Sequence, residues 1–331
     1  MKLPRLTKMP ISYGAVAEYR MNRAVADKFV GYGRFDDGVP TVMWHELPNG
    51  NMALPRACCP VPNPNGMTLG PRVRLTSKFE PRDSQQTRLA TELTDMLDRG
   101  ESFVLEAPTG VGKTVLGCHA IGHVGRRACV VLYKEDLFDS WTEDLGAILG
   151  LGKKDIGIIK QDRVDAAHPV VLASIQTLAI PGRVPARVLR EFGFVIWDEV
   201  HVAPAETFSK SLTMFPARLR LGLSATPKRQ DGKHFVTAAH IGPVAVLGKL
   251  TPMKPKVSFI KTRWRAPRDK DGERLPITAK SGHIFRMMTR NHARNVQLAR
   301  LVVGAIERGR RIIIFSHQRD HLDTLMALVN H

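Results

Sequence analysis

The sequence predicts an α/β fold: a mostly parallel β-sheet covered by helices on both faces, with a phosphate-binding loop at the carboxyl end of one strand. Three observations predict it. From about residue 79, short apolar runs rich in β-branched residues alternate with helix-compatible segments, the pattern of strands buried on both faces. The first of these runs, 103–105, leads into Ala107-Pro108-Thr109-Gly110-Val111-Gly112-Lys113-Thr114, a Gly-rich turn that opens a helix. A later run, 194–197, ends in Asp198-Glu199. In such sheets ligands sit beyond the carboxyl ends of the strands, so the turn and the two carboxylates are expected on one edge.

Taken in order, residues 1–77 read as a small accessory module, rich in Pro, Gly and Asn and without sustained periodicity. Runs 41–47 and 52–56 flank Pro48-Asn49-Gly50-Asn51, and Asn-Gly is a strong hairpin signal. Residues 60–71 read as an irregular linker. The main domain is expected over 78–250. It opens with a helix over 84–97, where Leu89, Leu93 and Leu97 recur at four-residue spacing. Strand-like runs follow at 103–105, 129–133, 156–159, 170–173, 194–197 and 219–223, with a helix at 136–149. The stretch 242–268 is Pro- and Lys-rich with two short strand-like runs, and a connector is expected over 251–281. A basic helix over 286–307 and a buried strand in Arg311-Ile312-Ile313-Ile314-Phe315-Ser316-His317 open a second α/β unit, 282–331. A lone strand cannot bury two faces, so this unit is expected to be incomplete as given.

Composition narrows the partners. Of 331 residues, 49 are Lys or Arg and 31 are Asp or Glu, a net charge of +18 that attracts polyanions, nucleic acid above all. Cys58, Cys59, Cys118 and Cys129 include no C-x-x-C pair, which argues against a zinc knuckle or a disulfide framework. No signal-peptide pattern or run of about 18 apolar residues occurs, so a soluble cytoplasmic protein without membrane contact is expected.

The loop has a definite chemistry. Small residues let backbone N–H groups converge on an anion, and the helix that follows brings its positive end there. Lys113 would reach the β- and γ-phosphates of ATP, and Thr114 would offer a hydroxyl to Mg²⁺. Ala107 stands where the first Gly of G-x-x-x-x-G-K-T is usual. Asp198 would hold Mg²⁺ through its water shell, Glu199 would orient and deprotonate the attacking water, and His201 would couple the nucleotide site to a neighbouring domain.

These motifs together resemble the superfamily-two helicases of the D-E-x-H type, nearest to phage repair helicases and the transcription-repair helicase group. The resemblance implies a RecA-like fold and an ATP-driven motor on nucleic acid, DNA in preference to RNA, in the cytoplasm, or the host cytoplasm if phage-encoded. Arg82-Asp83-Ser84-Gln85 resembles the segment that reads adenine, which gives Arg82 and Gln85 to the nucleotide beside Pro108, Thr109, Gly110, Val111, Gly112, Lys113 and Thr114. Tyr133-Lys134-Glu135-Asp136-Leu137 followed by Trp141, and Ser174-Ile175-Gln176-Thr177, resemble motifs that grip the strand, through Lys134, Ser174, Gln176 and Thr177. Ser224-Ala225-Thr226 resembles the motif that couples hydrolysis to unwinding, through Ser224 and Thr226. The stretch 311–325 resembles the opening of the second RecA-like domain. The arginine motif that this family carries late in that domain is not found in these 331 residues. Its remainder is expected to be supplied in cis or in trans.

Two other readings carry weight. One is a nucleotide-dependent nucleic-acid-binding module without turnover of its own. The other is a metabolic kinase or similar phosphate-loop enzyme, against which the Asp-Glu-Val-His stretch, Ser-Ala-Thr and the basic charge all argue.

Overall fold

The computed structural model describes residues 16–19, 27, 30–31, 41–42, 45–47, 50–57, 66–200, 211–225, 234–246, 257–262, 264–268, 270, 273 and 282–330. The chain divides into two compact units, Met1–Thr251 and Pro252–His331.

The first unit contains thirteen strands among its described residues. Strands β1 (Val16–Tyr19), β2 (Val30–Gly31), β3 (Thr41–Val42), β4 (His45–Glu46) and β5 (Met52–Pro55) precede helix α1 (Ser84–Asp98). There follow β6 (Phe103–Glu106), α2 (Lys113–Val124), β7 (Ala128–Leu132), α3 (Asp136–Leu149), β8 (Ile156–Lys160), β9 (Arg163–Asp165) and β10 (Val170–Ser174). The unit continues through α4 (Ile175–Leu178), α5 (Ala186–Leu189), β11 (Phe194–Trp197), β12 (Leu219–Ser224), α6 (His234–His240) and β13 (Val244–Val246).

Eight strands form one sheet in the order β13-β6-β12-β11-β7-β10-β8-β9. Every pairing is parallel except the edge pair β8–β9. Alternation of side chains along each strand divides the core in two. Phe103 and Leu105, Val130 and Leu132, and Phe194 and Ile196 pack on the face covered by α1, α2 and α3. Val104, Cys129, Val131, Val195 and Trp197 pack on the other face with Leu178, Leu189 and Phe215. That is why β7 and β11 are apolar throughout, while β12 accommodates the buried Arg220 because its guanidinium donates to the carbonyls of His240 and Phe215.

Helix α1 starts where Asp83 accepts the Gln86 N–H at 2.8 Å, satisfying one of the unpaired donors of its first turn. Helix α3 carries Asp136 and Asp139 in its first turn, complementing the helix dipole, and stops at Gly150 with φ 71°.

The accessory segment departs from its expected form. Only β4 of the expected hairpin pairs with β5, His45 opposite Ala53; Thr41–Val42 pairs with β2 instead. The end of β5 is tied to the main sheet. The buried Arg56 guanidinium donates to the carbonyls of Ala217 at 2.7 Å and Arg218 at 3.1 Å, and burial lowers its pKa to about 10. The expected linker becomes a strap from residue 66 onward. Thr68 N–H donates to Pro216, Arg127 N–H to Pro71 and Val73 N–H to Gly125. The strap lies so close that a Cβ on Gly193 would stand 1.7 Å from the Leu69 carbonyl oxygen. Val244–Val246, in the Pro- and Lys-rich stretch read as holding short strand-like runs, is the edge strand beside β6.

The second unit contributes α7 (Gly282–Thr289), α8 (His292–Ile306) and α9 (Arg319–Val329). The single helix expected over 286–307 is two helices. Asn291 interrupts it, leaving the helix to cap α8 by accepting the Arg294 N–H at 2.9 Å. The run 311–315, expected as a buried strand, pairs with no strand among the described residues, and Ile313 and Phe315 are 78% and 89% exposed. A ladder needs a neighbour for its N–H and C=O groups, and no strand among the described residues pairs with this run. Among the described residues, no helix is long and apolar enough to cross a membrane.

Candidate active site

The carboxyl ends of the parallel strands form one edge, and the sheet order determines which motifs are neighbours. Strand β6 ends in the phosphate loop, β12 beside it in Ser224, and β11 in Asp198 and Glu199. Continuing along the edge, β7 ends at Tyr133-Lys134, β10 at Ser174 and β8 at Lys160.

The loop turns through two glycines in the left-handed region, Gly110 with φ 84° and Gly112 with φ 83°, conformations that cost an L-residue about 1–2 kcal/mol. Gly112 caps α2 without a side-chain hydrogen bond, leaving the first N–H groups of that helix for an anion. Thr109 and Gly110 are exposed, Pro108, Gly112 and Thr114 half-buried, and Val111 is buried. Lys113 is also buried, although loop position alone suggests an exposed side chain. Ala107, in the place of the usual first glycine, is fully buried, and its N–H donates to the Ser224 carbonyl at 3.0 Å. The β12 strand end is therefore bonded directly to the base of the phosphate loop.

Gln86, which the sequence reading passed over in favour of Gln85, is the glutamine on this loop. Its Nε2 donates to the Val111 carbonyl at 3.0 Å, and its Oε1 accepts the Arg82 N–H at 2.9 Å. Gln86 is 4% exposed; Gln85 is half-buried, and its side chain makes no hydrogen bond among the described residues. A Cβ on Gly112 would stand 2.6 Å from Gln86 Nε2. The signal that could have found it is the N-cap: with Asp83 as cap, the third helical residue is Gln86. The Arg82 guanidinium is exposed and donates to Asp83 at 3.1 Å.

Asp198 is held on both oxygens. Oδ1 accepts the Glu199 N–H at 2.9 Å, and Oδ2 accepts the Trp141 indole N–H at 2.8 Å. Burial pushes its carboxyl above the usual range, aided by the neighbouring Glu199 charge; the two donors and the Lys113 charge act against that rise. Glu199 lies at φ 47°, one of two non-glycine residues with positive φ among those described. His201 and Thr226 lie outside the described residues.

The far part of the edge is polar and interlinked. Gln176 Nε2 donates to the Tyr133 carbonyl at 2.8 Å, Ser174 Oγ donates to Gln176 Oε1 at 2.8 Å, and Thr177 Oγ1 accepts the Gln161 N–H at 2.7 Å. Lys134 and Gln176 are exposed, while Ser174 and Thr177 are buried and act as caps and loop ties.

Residues 78–229 match the family model described as type III restriction enzyme, res subunit. The chain is 32% identical over 220 residues to a putative DNA 3'-5' helicase Rad25 of Halobacterium salinarum, covering 63% of this chain and 35% of that protein. It is 25% identical over 264 residues to the probable helicase D10 of Escherichia phage T5, covering 78% of this chain and 54% of that one. The chain thus spans between about a third and about half of these relatives' length. Its fold is similar to that of the bacteriophage T4 UvsW helicase, with TM-score 0.51, 14% identity, and 70% of this chain and 96% of that chain covered. The Gly-rich loop after β6 and the Asp-Glu end of β11 thus lie two strands apart on one edge of a mostly parallel sheet, within the stretch that matches the family model.

Proposed function

We propose that the chain is the ATP-hydrolysing part of a motor that moves on or unwinds DNA. The observation that carries this is the run of motifs along one sheet edge, from the phosphate loop through Ser224 and Asp198 to Lys134 and Gln176. In this reading Lys113 and the α2 N-terminus bind the phosphates of ATP. Thr114 and Asp198 supply oxygens to Mg²⁺, whose charge offsets that of the phosphates. Among the described residues no group of three or more His, Cys, Asp or Glu forms a metal site. That suits Mg²⁺, which keeps several waters and takes other ligands from the nucleotide. Glu199 accepts the proton of the attacking water, Arg82 and Gln85 keep their proposed contact with adenine, and Gln86 holds the loop in shape through Val111. His201 and Thr226 keep their proposed coupling roles. Lys134, Gln176 and the loop ends around them meet the nucleic-acid backbone, with affinity that falls as salt rises.

The division into an accessory module over 1–77, a first RecA-like domain over 78–250, a connector over 251–281 and a second domain from 282 is part of the same proposal. So is a cytoplasmic setting. The exposed run 311–315 supports a second reading, in which further strands, in cis or in trans, are needed before the nucleotide turns over.

Glu199→Gln tests the chemistry, since it keeps shape but accepts no proton. It should bind Mg-ATP as wild type does and lose hydrolysis about 10²–10⁴-fold. The assay compares ATPase with and without single-stranded DNA in a protein carrying complete second-domain strands. Undiminished turnover in that variant removes Glu199 from the role of base. Nucleotide binding with no turnover in wild type favours the second reading.

A further inference from the structure

We propose that Trp141 is a positioning residue for hydrolysis, fixing the Asp198 carboxylate from the helix that begins at the Tyr133-Lys134 end of β7. This inference rests on the proposed function, which places the nucleotide at Asp198 and nucleic acid at Lys134.

Trp141 lies 57 residues from Asp198 in sequence, is fully buried, and spends its one hydrogen-bond donor on Oδ2 at 2.8 Å. A buried indole needs an acceptor, but a backbone carbonyl would suffice. A carboxylate 6% exposed to solvent is a different choice, because a charged acceptor makes the stronger bond and must itself be kept from water. The other carboxylate oxygen is held by Glu199 N–H at 2.9 Å, so two donors from separate elements fix the carboxyl plane.

The same indole reaches the phosphate-loop helix. A Cβ on Gly117 of α2 would stand 2.7 Å from Trp141 Cη2, so the ring occupies the space that a side chain there would take. The N-terminal end of α3, one to two turns before Trp141, is tied to the polar part of the edge. Just before the helix, Gln176 bonds the Tyr133 carbonyl at 2.8 Å, and Glu135 pairs with Lys160 at 2.9 Å. Lys160 also stands 5.4 Å over the Phe138 ring on α3. One rigid helix thus joins the strand-gripping motifs to the carboxylate and to α2. A shift of α3 when a phosphate engages Lys134 or Gln176 is felt by Asp198 through a single hydrogen bond.

The test separates the N–H from the ring. Replacing Trp141 by 3-benzothienylalanine keeps the bicyclic shape and removes only the donor; Trp141→Phe removes donor and bulk. Binding of a fluorescent ATP analogue is measured with and without Mg²⁺, alongside thermal melting and ATPase with and without single-stranded DNA. The expected result for the benzothienyl variant is a loss of about 10- to 100-fold in the Mg²⁺-dependent part of nucleotide affinity. Metal-free affinity should stay within about twofold, and stimulation by DNA should fall with the metal-dependent part. Wild-type Mg²⁺ dependence in that variant, or equal loss with and without Mg²⁺, overturns the proposal and leaves the indole a packing group. If wild type shows no Mg²⁺-dependent nucleotide binding, the proposed function falls, and this inference with it. Should Trp141→Phe fail to fold, the benzothienyl variant decides alone.

Discussion

Truncating Gln86 to Ala asks whether that side chain, and not its neighbour, holds the phosphate loop. The change removes two hydrogen bonds, Nε2 to Val111 at 3.0 Å and Arg82 N–H to Oε1 at 2.9 Å. Their costs differ. Arg82 is exposed, so its N–H regains water, whereas Val111 is 1% exposed and its carbonyl loses its side-chain partner in a dry place. One buried acceptor left unpaired costs about 1–3 kcal/mol. The Asp83 cap survives, because it engages the Gln86 backbone N–H, so helix α1 still starts where it did. For a unit of this size, about 1–3 kcal/mol corresponds to a fall of roughly 2–12 °C in melting temperature. Gln85→Ala removes a half-buried side chain with no hydrogen bond among the described residues and should stay within about 0.5 kcal/mol. Melting curves of the two variants, with and without an ATP analogue, form the assay. Gln86→Ala is expected to melt lower and to gain less from the nucleotide, since a looser loop must be ordered on binding. Equal melting and equal nucleotide stabilisation in the two variants would refute the assignment.

Lys113→Ala should weaken nucleotide binding, with melting of the free protein changed less than nucleotide affinity; an analogue that binds it like wild type would mean the loop is no phosphate cradle. Gly112→Ala combines a left-handed backbone with a Cβ 2.6 Å from Gln86 Nε2. It should displace Gln86 from Val111 and cost about 1–3 kcal/mol, read by denaturant titration. A variant as stable as wild type would mean that the glutamine tie is dispensable.

The sequence by itself determined the layered α/β fold and set the Gly-rich turn and the Asp-Glu pair at the carboxyl ends of their strands, for a physical reason. Strands buried on both faces are apolar at nearly every position, and a turn that passes through the left-handed region is carried by glycine, so both features are written locally. Phe194–Trp197 and helix Asp136–Leu149 could be read to the residue for that reason. Tertiary structure decided what depends on distant neighbours. Which of two adjacent glutamines faces the loop depends on helix phase, set by the Asp83 cap, and on where Val111 lies across the fold. Val244–Val246 is a strand because β6 offers it an edge, whereas the run 311–315 pairs with no strand among the described residues. The bond from Trp141 to Asp198 joins two elements 57 residues apart. Pattern shows that an indole will be buried; only the packed sheet and helix determine which acceptor receives its proton.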